Sequence, residues 1–160
     1  MAMPSFMTVT GEKQGAIDGS CSIKGREKSI LVYAMDHNVS MPRDRQTGLS
    51  SGKRIHGPLS IIKEVDRSSP KLYQALCSGE HLKSVVIKYT RVAKDGKEEH
   101  YFTEEMSDAI VVSMAPFVPT VFLKENDAYR HMERVSFTYS QIKWTWIPDG
   151  IESQDSWKGA

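Results

Sequence analysis

The amino-acid sequence predicts a mainly β domain with one short α-helix and one long loop. Several short stretches alternate apolar and polar residues, as strands with one buried face do. A single stretch has the apolar spacing of a helix, and about twenty residues elsewhere follow neither pattern. At 160 residues the chain has the size of one domain with its own core, so we expect a single domain over residues 1–160.

The charge balance and the first residues exclude several classes of protein. The 21 basic and 20 acidic side chains leave a net charge of +1, without the basic excess of a nucleic-acid-binding surface. Met1 to Gly11 lack the basic and apolar segments of a secretory signal or a membrane anchor. We therefore expect a chain made in the cytoplasm, with no nucleic acid partner and no membrane insertion. Cys21 and Cys77 are too few for a disulfide framework, and we interpret both as reduced and structural.

Two strands are predicted before the long loop. Phe6–Thr10 is short and ends at Gly11. Ser29–Met35 has apolar side chains on both faces, which is typical of a strand that is covered on both sides. We therefore expect the second strand to be central in its sheet.

The long loop, Asp36–Gly57, contains Pro, Gly, Ser and charged residues without a usable period. Loops of this length are uncommon in compact domains and are usually functional. Four apolar residues lie within this loop: Val39, Met41, Leu49 and Ile55. A solvated flexible loop and a contact with a partner are equally open at this point, because the composition allows the first and the apolar residues favour the second.

The predicted helix covers about residues 69–78 and follows a strand over Leu59–Val65. Ser69 can cap the free N–H groups of the first turn, Pro70 suits the first helical position, and Gly79 ends the helix. One apolar stripe runs along it, formed by Leu72, Tyr73, Leu76 and Cys77. A helix this short is marginal alone in water, so we expect it to pack against a sheet.

A hairpin follows the helix. The strands Ser84–Val92 and Glu98–Met106 flank Asp95-Gly96, a dipeptide favoured in two-residue hairpin turns. The register of such a turn places three pairs opposite one another: Val85 and Met106, Ile87 and Glu104, and Tyr89 and Phe102. The second pair sets an apolar side chain against a charged one and is a mismatch.

The C-terminal part contains two further strands and a second loop. Ala109–Met114 is followed by a loop from Pro116 to about Arg130. In Met132–Trp146 the apolar positions change from odd to even numbers near Gln141. Because side chains alternate strictly across a strand, this change indicates either a β-bulge or a strand that passes from one sheet to another. Both occur at the corners of barrels and sandwiches.

Candidate catalytic and metal-binding residues are few. The segment Gly48–Arg54 has three residues between its glycines where a phosphate-binding loop has four, and Arg54 stands in the place of the Mg²⁺-binding Ser or Thr. No Gly-x-Ser-x-Gly nucleophile motif is present. Two pairs supply only two ligands each, where zinc needs three or four: Glu98 with His100, and His131 with Glu133. We interpret these pairs as solvated, and we predict no catalytic residue, no cofactor and no metal.

Short motifs spread over nearly the whole chain resemble those of one protein family. They are Asp36-His37-Asn38-Val39, Thr47-Gly48, Ser51-Gly52-Lys53-Arg54-Ile55-His56, Asp66, Ser69-Pro70-Lys71-Leu72-Tyr73, Ser78-Gly79-Glu80, Tyr101-Phe102-Thr103, Tyr139-Ser140-Gln141-Ile142-Lys143-Trp144-Thr145-Trp146 and Asp155-Ser156-Trp157. In this order they resemble the haemolysin-coregulated protein (Hcp) family, the tube subunit of the bacterial type VI secretion system.

The resemblance implies a two-sheet β-barrel flanked by one helix, with Asp36–Gly57 as an extended loop that reaches neighbouring subunits. It also implies hexameric rings that stack into a hollow tube, which is exported with effector proteins in its lumen or on its tip. The implied partners are further copies of the chain, effectors, and the tip, sheath and baseplate proteins. The resemblance implies no catalytic residues, export without a signal peptide, and no toxin domain in a chain that ends at Ala160.

The residues that would serve this assembly are hypotheses from their chemistry. Met41 or Leu49 would insert against a neighbouring subunit, and the charged residues nearby would form a polar rim: Arg43, Asp44, Arg45, Lys53 and Arg54. The lumen would be lined by small polar side chains without a role in the core: Ser136, Thr138 and Ser140. A β-barrel module that binds a small ligand is the alternative, and a hydrolase or metal enzyme is a more distant one.

Overall fold

The computed structural model describes residues 2–157, which form a mainly β fold with one α-helix, as the sequence predicts. The helix, α1, spans Ser69–Ser78, and one 3-10 turn spans Lys124–Asn126. These residues form twelve strands: β1 (Ser5–Gly11), β2 (Gly15–Ile17), β3 (Ile30–Val32), β4 (Ala34–Asp36), β5 (Val39–Ser40), β6 (Ile55–His56), β7 (Leu59–Glu64), β8 (Leu82–Val92), β9 (Glu98–Phe117), β10 (Met132–Thr138), β11 (Gln141–Trp146) and β12 (Ile151–Ser156).

Most strands follow one antiparallel path in the order β2-β1-β8-β9-β10-β7-β4. β3 pairs with β1, and β11 pairs with both β9 and β12. β5 and β6 form a separate two-stranded ribbon. The buried core draws apolar side chains from most of the path and from α1, among them Met7, Ile61, Leu72, Val85, Ile87, Met106, Phe137 and Ile142.

β9 is 20 residues long and takes part in both halves of the fold. Its first half pairs with β8 and β11, and its second half pairs with β10. The sequence predicted strand character over Glu98–Met106 and again over Ala109–Met114, and the structure joins the two stretches into one strand. At the junction the N–H of Ser140 donates to the carbonyls of Ser107 and Asp108 at 3.2 Å each, so these carbonyls stay paired. The strand therefore continues through the junction.

The change of phase near Gln141 marks a change of partner strands. β10 pairs with β7 and with the second half of β9, whereas β11 pairs with the first half of β9 and with β12. Tyr139 and Ser140 lie between the two strands and account for the slip in alternation. Of the two interpretations, the passage from one group of strands to another is the one that is confirmed.

The segment predicted as a central strand, Ser29–Met35, forms two short strands at the margin of the path. β3 pairs with β1 and β4 pairs with β7, and Tyr33 separates them. Coverage on both faces is wrong for β4, because Ala34 and Asp36 are exposed. Within residues 2–157 no continuous strand closes the path into a ring, so the two-sheet barrel is not confirmed.

The hairpin between β8 and β9 has the predicted register but a different turn. The pairs Val85 with Met106 and Tyr89 with Phe102 are formed. The predicted two-residue turn is wrong, because the N–H of Ala93 donates to the carbonyl of Lys97 at 2.7 Å and leaves a three-residue loop. Gly96, with a φ of 81°, supplies the left-handed residue of that loop. A register shift between Tyr89 and Thr90 offsets the extra residue, so the predicted pairs still meet.

The mismatched pair in this hairpin is also formed. Glu104 lies opposite Ile87 and is buried, and its Oε2 atom has no hydrogen-bond partner among the described residues. Burial raises the pKa of the Glu104 carboxyl, while the neighbouring side chains of Tyr89 and Trp144 oppose that shift. The fold therefore accepts a costly polar group on its core face.

Helix α1 has the predicted bounds, but its ends differ in how well they were predicted. Gly79, with a φ of 68°, caps the C-terminus, and the N–H of Glu80 donates to the carbonyl of Ala75 at 3.0 Å. The predicted Ser69 cap is wrong, because no side chain caps the N-terminus. The buried stripe is centred on Leu72 and Ala75. Cys21 is buried, as expected of a structural residue, whereas Cys77 is exposed, so the structural interpretation of Cys77 is wrong. Both cysteines are free.

The Ser69 side chain takes part in a buried ion-pair cluster. Lys63 and Glu133 are 0% and 1% exposed and contact each other, which corrects the interpretation of Glu133 as solvated. The Lys63 Nζ donates to Asp66 Oδ1 at 3.0 Å, and the Ser69 hydroxyl donates to Glu133 at 2.6 Å. The cluster ties the start of α1 to β7 and β10. His131 is exposed, and residues 2–157 contain no group of three or more His, Cys, Asp or Glu placed to hold a metal.

Candidate functional site

The predicted long loop is an ordered two-stranded arm, which we define as residues 39–56. β5 pairs with β6 at its base, and a bridge between Arg43 and Ser50 continues the pairing toward the tip. The N–H of Asp44 donates to the carbonyl of Leu49 at 2.8 Å, and Gly48 adopts a φ of 74° in the turn. The arm is therefore a hairpin-like projection, although its sequence shows no strand period.

The Asp44 side chain closes the turn at the tip of the arm. Its Oδ1 accepts hydrogen bonds from the backbone N–H groups of Thr47 and Gln46, at 2.8 Å each. These two N–H groups hold the pKa of the Asp44 carboxyl below its usual value. The carboxylate thus serves the local turn, as Asp does in many Asx turns.

The apolar side chains of the arm face solvent in the single chain. Leu49 is 70% exposed and Met41 is 53% exposed, and Val39 and Ile55 are exposed as well. Neighbouring charged residues, among them Arg43, Arg45 and Lys53, are exposed too. Exposed apolar side chains with polar residues around them are typical of a protein–protein contact. The tip of the arm is thus a surface that the chain does not cover itself.

The base of the arm has the opposite character. His56, in β6, is 6% exposed, and its Nδ1 lies 2.6 Å from the Tyr139 hydroxyl. The His56 Nε2 lies 2.6 Å from Asp155 Oδ2, in β12. Two residues before the arm begins, the His37 Nε2 lies 2.9 Å from the same Tyr139 hydroxyl. The ring of Trp157 lies 5.1 Å from that of His56 and covers it. Both ends of the arm are therefore fixed to one tyrosine.

Arg54 joins this network and is not a free rim residue in the single chain. Its Nε and one terminal nitrogen donate to the two Asp155 carboxylate oxygens at 2.8 Å each. The same terminal nitrogen donates to the carbonyl of Ser156 at 2.8 Å. This two-point contact is the geometry that a guanidinium prefers with a carboxylate. Arg54 thus connects the arm to β12, and its contact with a neighbour stays a prediction.

The pKa shifts at the base follow from these contacts. Hydrogen bonds from Arg54 and then from His56 hold the pKa of the Asp155 carboxyl far below its usual range. Burial raises the pKa of the Tyr139 hydroxyl well above its usual range, so Tyr139 keeps its proton. Burial, together with the nearby His56, lowers the pKa of His37. The base is therefore built around an ionised Asp155 and a neutral Tyr139.

These protonation states define the direction of the hydrogen bonds when His56 is neutral. Asp155 can only accept, so the His56 Nε2 carries the proton and donates to it. The His56 Nδ1 then accepts from the Tyr139 hydroxyl, and the Tyr139 oxygen accepts from the Nε2–H of His37. Every group in the row is satisfied. Because the row joins both sides of the arm to Tyr139 and Asp155 and holds no exposed nucleophile, its role is to anchor the arm.

The three residues predicted to line a lumen are not equally available. Ser136 is buried, and its hydroxyl lies 2.8 Å from that of Ser60. The Ser140 hydroxyl donates to Asp108 Oδ2 at 2.7 Å, and Thr138 is half-buried. Their hydroxyls are thus partly committed within the chain, and contact with another protein stays a prediction.

Sequence reasoning missed the network at the base of the arm. It quoted His37 and His56 within separate short motifs but did not connect His56 with Asp155, which is 99 positions away. No local spacing signals such a pair. The fragments that carry His56, Tyr139 and Asp155 do occur among the motifs quoted for the resemblance.

The sequence and the fold of the whole chain can be compared with those of known proteins. The profile of the family described as "Type VI secretion system effector, Hcp" matches residues 6–146. The chain belongs to the Hcp family. It is 37% identical to the "Major exported protein" of Pseudomonas aeruginosa, over 99% of this chain and 97% of that one.

Solved Hcp structures have the same fold. An Hcp1 variant from the Escherichia coli EAEC 042 pathovar is 33% identical, with a TM-score of 0.86, over 98% of this chain and 99% of that one. The secreted protein Hcp3 of Pseudomonas aeruginosa is also 33% identical, with a TM-score of 0.80 and the same coverage. Hcp is a family of secreted structural proteins of the type VI system and is not an enzyme family. Between residues 2 and 157, no helix is both long and apolar enough to cross a bilayer.

Proposed function

We propose that this Hcp chain is the tube subunit of a type VI secretion system. In this proposal six copies form a ring, rings stack into a tube, and the tube leaves the cell with effector proteins. The observation that carries the proposal is the arm, whose base is anchored by buried hydrogen bonds while Leu49 near its tip and Met41 along its length face solvent. An anchored projection with an exposed apolar tip is suited to contact another subunit.

Ring closure follows from the kind of contact that such an arm makes. An arm that binds a different surface of the next copy forms a heterologous contact, and a suitable rotation closes such contacts into a ring. Met41 or Leu49 would contact the neighbour, with Arg43, Asp44, Arg45 and Lys53 at the rim and Arg54 holding the arm from within. The two-sheet barrel is part of this proposal, and the pairing of β3 with β1 and of β4 with β7 supports it.

Cargo contacts in the lumen are proposed for Ser136, Thr138 and Ser140. A carrier must release its load, so many weak contacts would serve better than a few strong ones. The proposed partners are further copies of the chain, effectors, and the tip, sheath and baseplate proteins. The chain would remain cytoplasmic until assembly and would leave through the type VI system without a signal peptide.

Native mass spectrometry of the purified chain tests the proposal. We expect a particle of six chains of 18.0 kDa each, and a shift to single chains when Leu49→Asp places a charge in the contact. Ile23→Asp is the matched control, because Ile23 is also an exposed apolar residue but lies far from the arm in sequence. A wild-type chain that stays at 18.0 kDa at high concentration would overturn the proposal. Rings that persist in Leu49→Asp would overturn the role of Leu49.

A further inference from the structure

A second exposed apolar surface lies on the loop between β9 and β10. The loop and the end of β7 enclose a groove of about 450 Å³, which we call the β7 groove. Its walls include Glu64, Val65, Val118, Val121 and Tyr129. The volume is within the range of sites that hold a small ligand or a few side chains, roughly 300–1,000 Å³. The groove is concave and mostly apolar, in contrast to the projecting arm.

The loop beside the groove holds large apolar side chains away from the core. Phe122 is 85% exposed and Val121 is 78% exposed. The loop is nevertheless organised by its own hydrogen bonds, since the Asn126 side chain donates to the carbonyl of Thr120 at 3.1 Å and the N–H of Tyr129 donates to the carbonyl of Asn126 at 3.0 Å. An ordered loop that presents such side chains to water is typical of a surface covered by another protein.

We propose that the β7 groove of one copy receives the tip of the arm of a second copy. This inference rests on the proposed function, because it names the acceptor for the arm. The arm offers a projecting apolar residue, Leu49, and the groove offers an apolar hollow between Val118 and Val121. Each chain would give one arm and receive another, which is the condition for a heterologous contact that can repeat around a ring or along a stack.

The charges of the two surfaces are complementary. Among the described residues, Arg43, Arg45 and Lys53 of the arm form no ion pair, and Asp44 is occupied in its turn. The groove itself is lined by Glu64 and Arg130, which pair at 3.7 Å. The loop beside it carries two further acids, Glu125 and Asp127, and one further base, Lys124. A basic arm would therefore meet a loop with a small excess of acidic side chains, which favours correct docking over docking on a like-charged surface.

The length of the arm is sufficient for this contact. From Ser40 to Thr47 the arm extends seven residues, and at about 3.3 Å per residue it projects roughly 20 Å from its base. The groove is too small for the whole arm, so only the side chains at the tip would enter. Leu49, which follows the turn and is the most exposed apolar residue of the arm, is the side chain we assign to it.

Cross-linking between two differently labelled chains tests the assignment. Cys77→Ser removes the exposed thiol and leaves Cys21 buried. In that background, chains with Leu49→Cys are assembled with chains that carry Val118→Cys, Val121→Cys or Phe122→Cys, and a short bis-maleimide is added. We expect a heterodimeric product for at least one of the three positions, identified by peptide mass. Because the two thiols lie on different chains, only contact between copies can form this product.

Ile23→Cys in place of the loop cysteine is the matched control and should give at most one tenth of the product. If native mass spectrometry shows rings but none of the three positions links to residue 49, the groove assignment is wrong and the tube proposal stands. If no ring forms and no link is found, both are wrong. A second test compares the rate at which a maleimide labels Val121→Cys in assembled rings with the rate in chains that also carry Leu49→Asp. If the two rates are equal, the arm does not cover the groove in the rings, and the assignment is also wrong.

Discussion

The base and the tip of the arm are built on opposite principles. At the base, His56 and Tyr139 are buried, and each polar atom in their row has a partner within the same chain. At the tip, Leu49 is apolar and faces water, and the backbone turn beside it is held by Asp44. The geometry of the base is therefore complete in one chain, whereas the tip gains stability only when another surface covers it. An arm of this kind keeps its direction before it meets a partner.

The largest effect within this comparison is expected from Tyr139→Phe. Loss of the hydroxyl leaves the buried His56 Nδ1 without a donor, which costs about 1–3 kcal/mol of unfolding free energy. The exchange rate of arm amides such as Ser51, which donates to the Pro42 carbonyl, should rise as well. Urea unfolding and amide hydrogen exchange measure the two effects. Tyr129→Phe is the matched control, because Tyr129 is exposed and should change stability by less than about 0.5 kcal/mol. Equal effects of both substitutions would contradict the anchoring role.

A smaller effect is expected from acidification, and part of it should arise at the base. The pKa of His37 is lowered in the folded state by burial and by His56, so the folded chain binds fewer protons than the unfolded chain below the ordinary histidine pKa of 6.5. Stability should therefore fall as the pH drops from 6.5 through the folded pKa. The lowered pKa of Asp155 adds a further loss below its ordinary value of 3.8.

Urea midpoints at pH 7.5 and pH 5.5 measure this dependence. His37→Gln should reduce it and should also reduce the acid-induced exchange of arm amides. His100 is the matched control, because burial and Lys88 lower its pKa in the same direction although it lies in β9. His100→Gln should reduce the change in midpoint without altering exchange in the arm. An arm whose exchange is independent of pH in the wild-type chain would be incompatible with this account.

The smallest effect on the single chain is expected at the tip. Leu49→Ser removes a side chain that is 70% exposed, so the unfolding free energy of dilute, dissociated chains should change by less than about 0.5 kcal/mol. The oligomer mass should fall in the same variant if the tip is a contact. A loss of stability above 1 kcal/mol in the dissociated chain would mean that Leu49 packs within its own chain and would remove the distinction between base and tip.

Local patterns in the sequence were sufficient for several elements of the fold. Gly79 and Pro70 mark the two ends of α1, and the alternation around Val85 and Met106 sets the register of the hairpin. The change of phase near Gln141 correctly indicated a change of partner strands. Each of these signals depends on residues close together in the chain, where backbone geometry restricts the choices.

The errors arose where distant residues decide the structure. Glu133 looked solvated in its strand, but Lys63 and Ser69, more than sixty positions away, make it a buried partner. The segment Asp36–Gly57 has no period because its pairing is short and its base is fixed by Tyr139 and Asp155. The apolar side chains of the arm, such as Leu49, could be identified in the sequence. The fixed position of the arm could not, because it depends on contacts with the C-terminal strands.

The length of β9 has a mechanical consequence. One unbroken backbone of 20 residues is shared by both groups of strands, β8 and β11 on one side of the junction and β10 on the other. Because both groups of strands pair with this one strand, tension applied to either group passes to the other along β9. We therefore expect the two groups to unfold together and not in stages. Under mechanical load these strands should therefore yield in a single event.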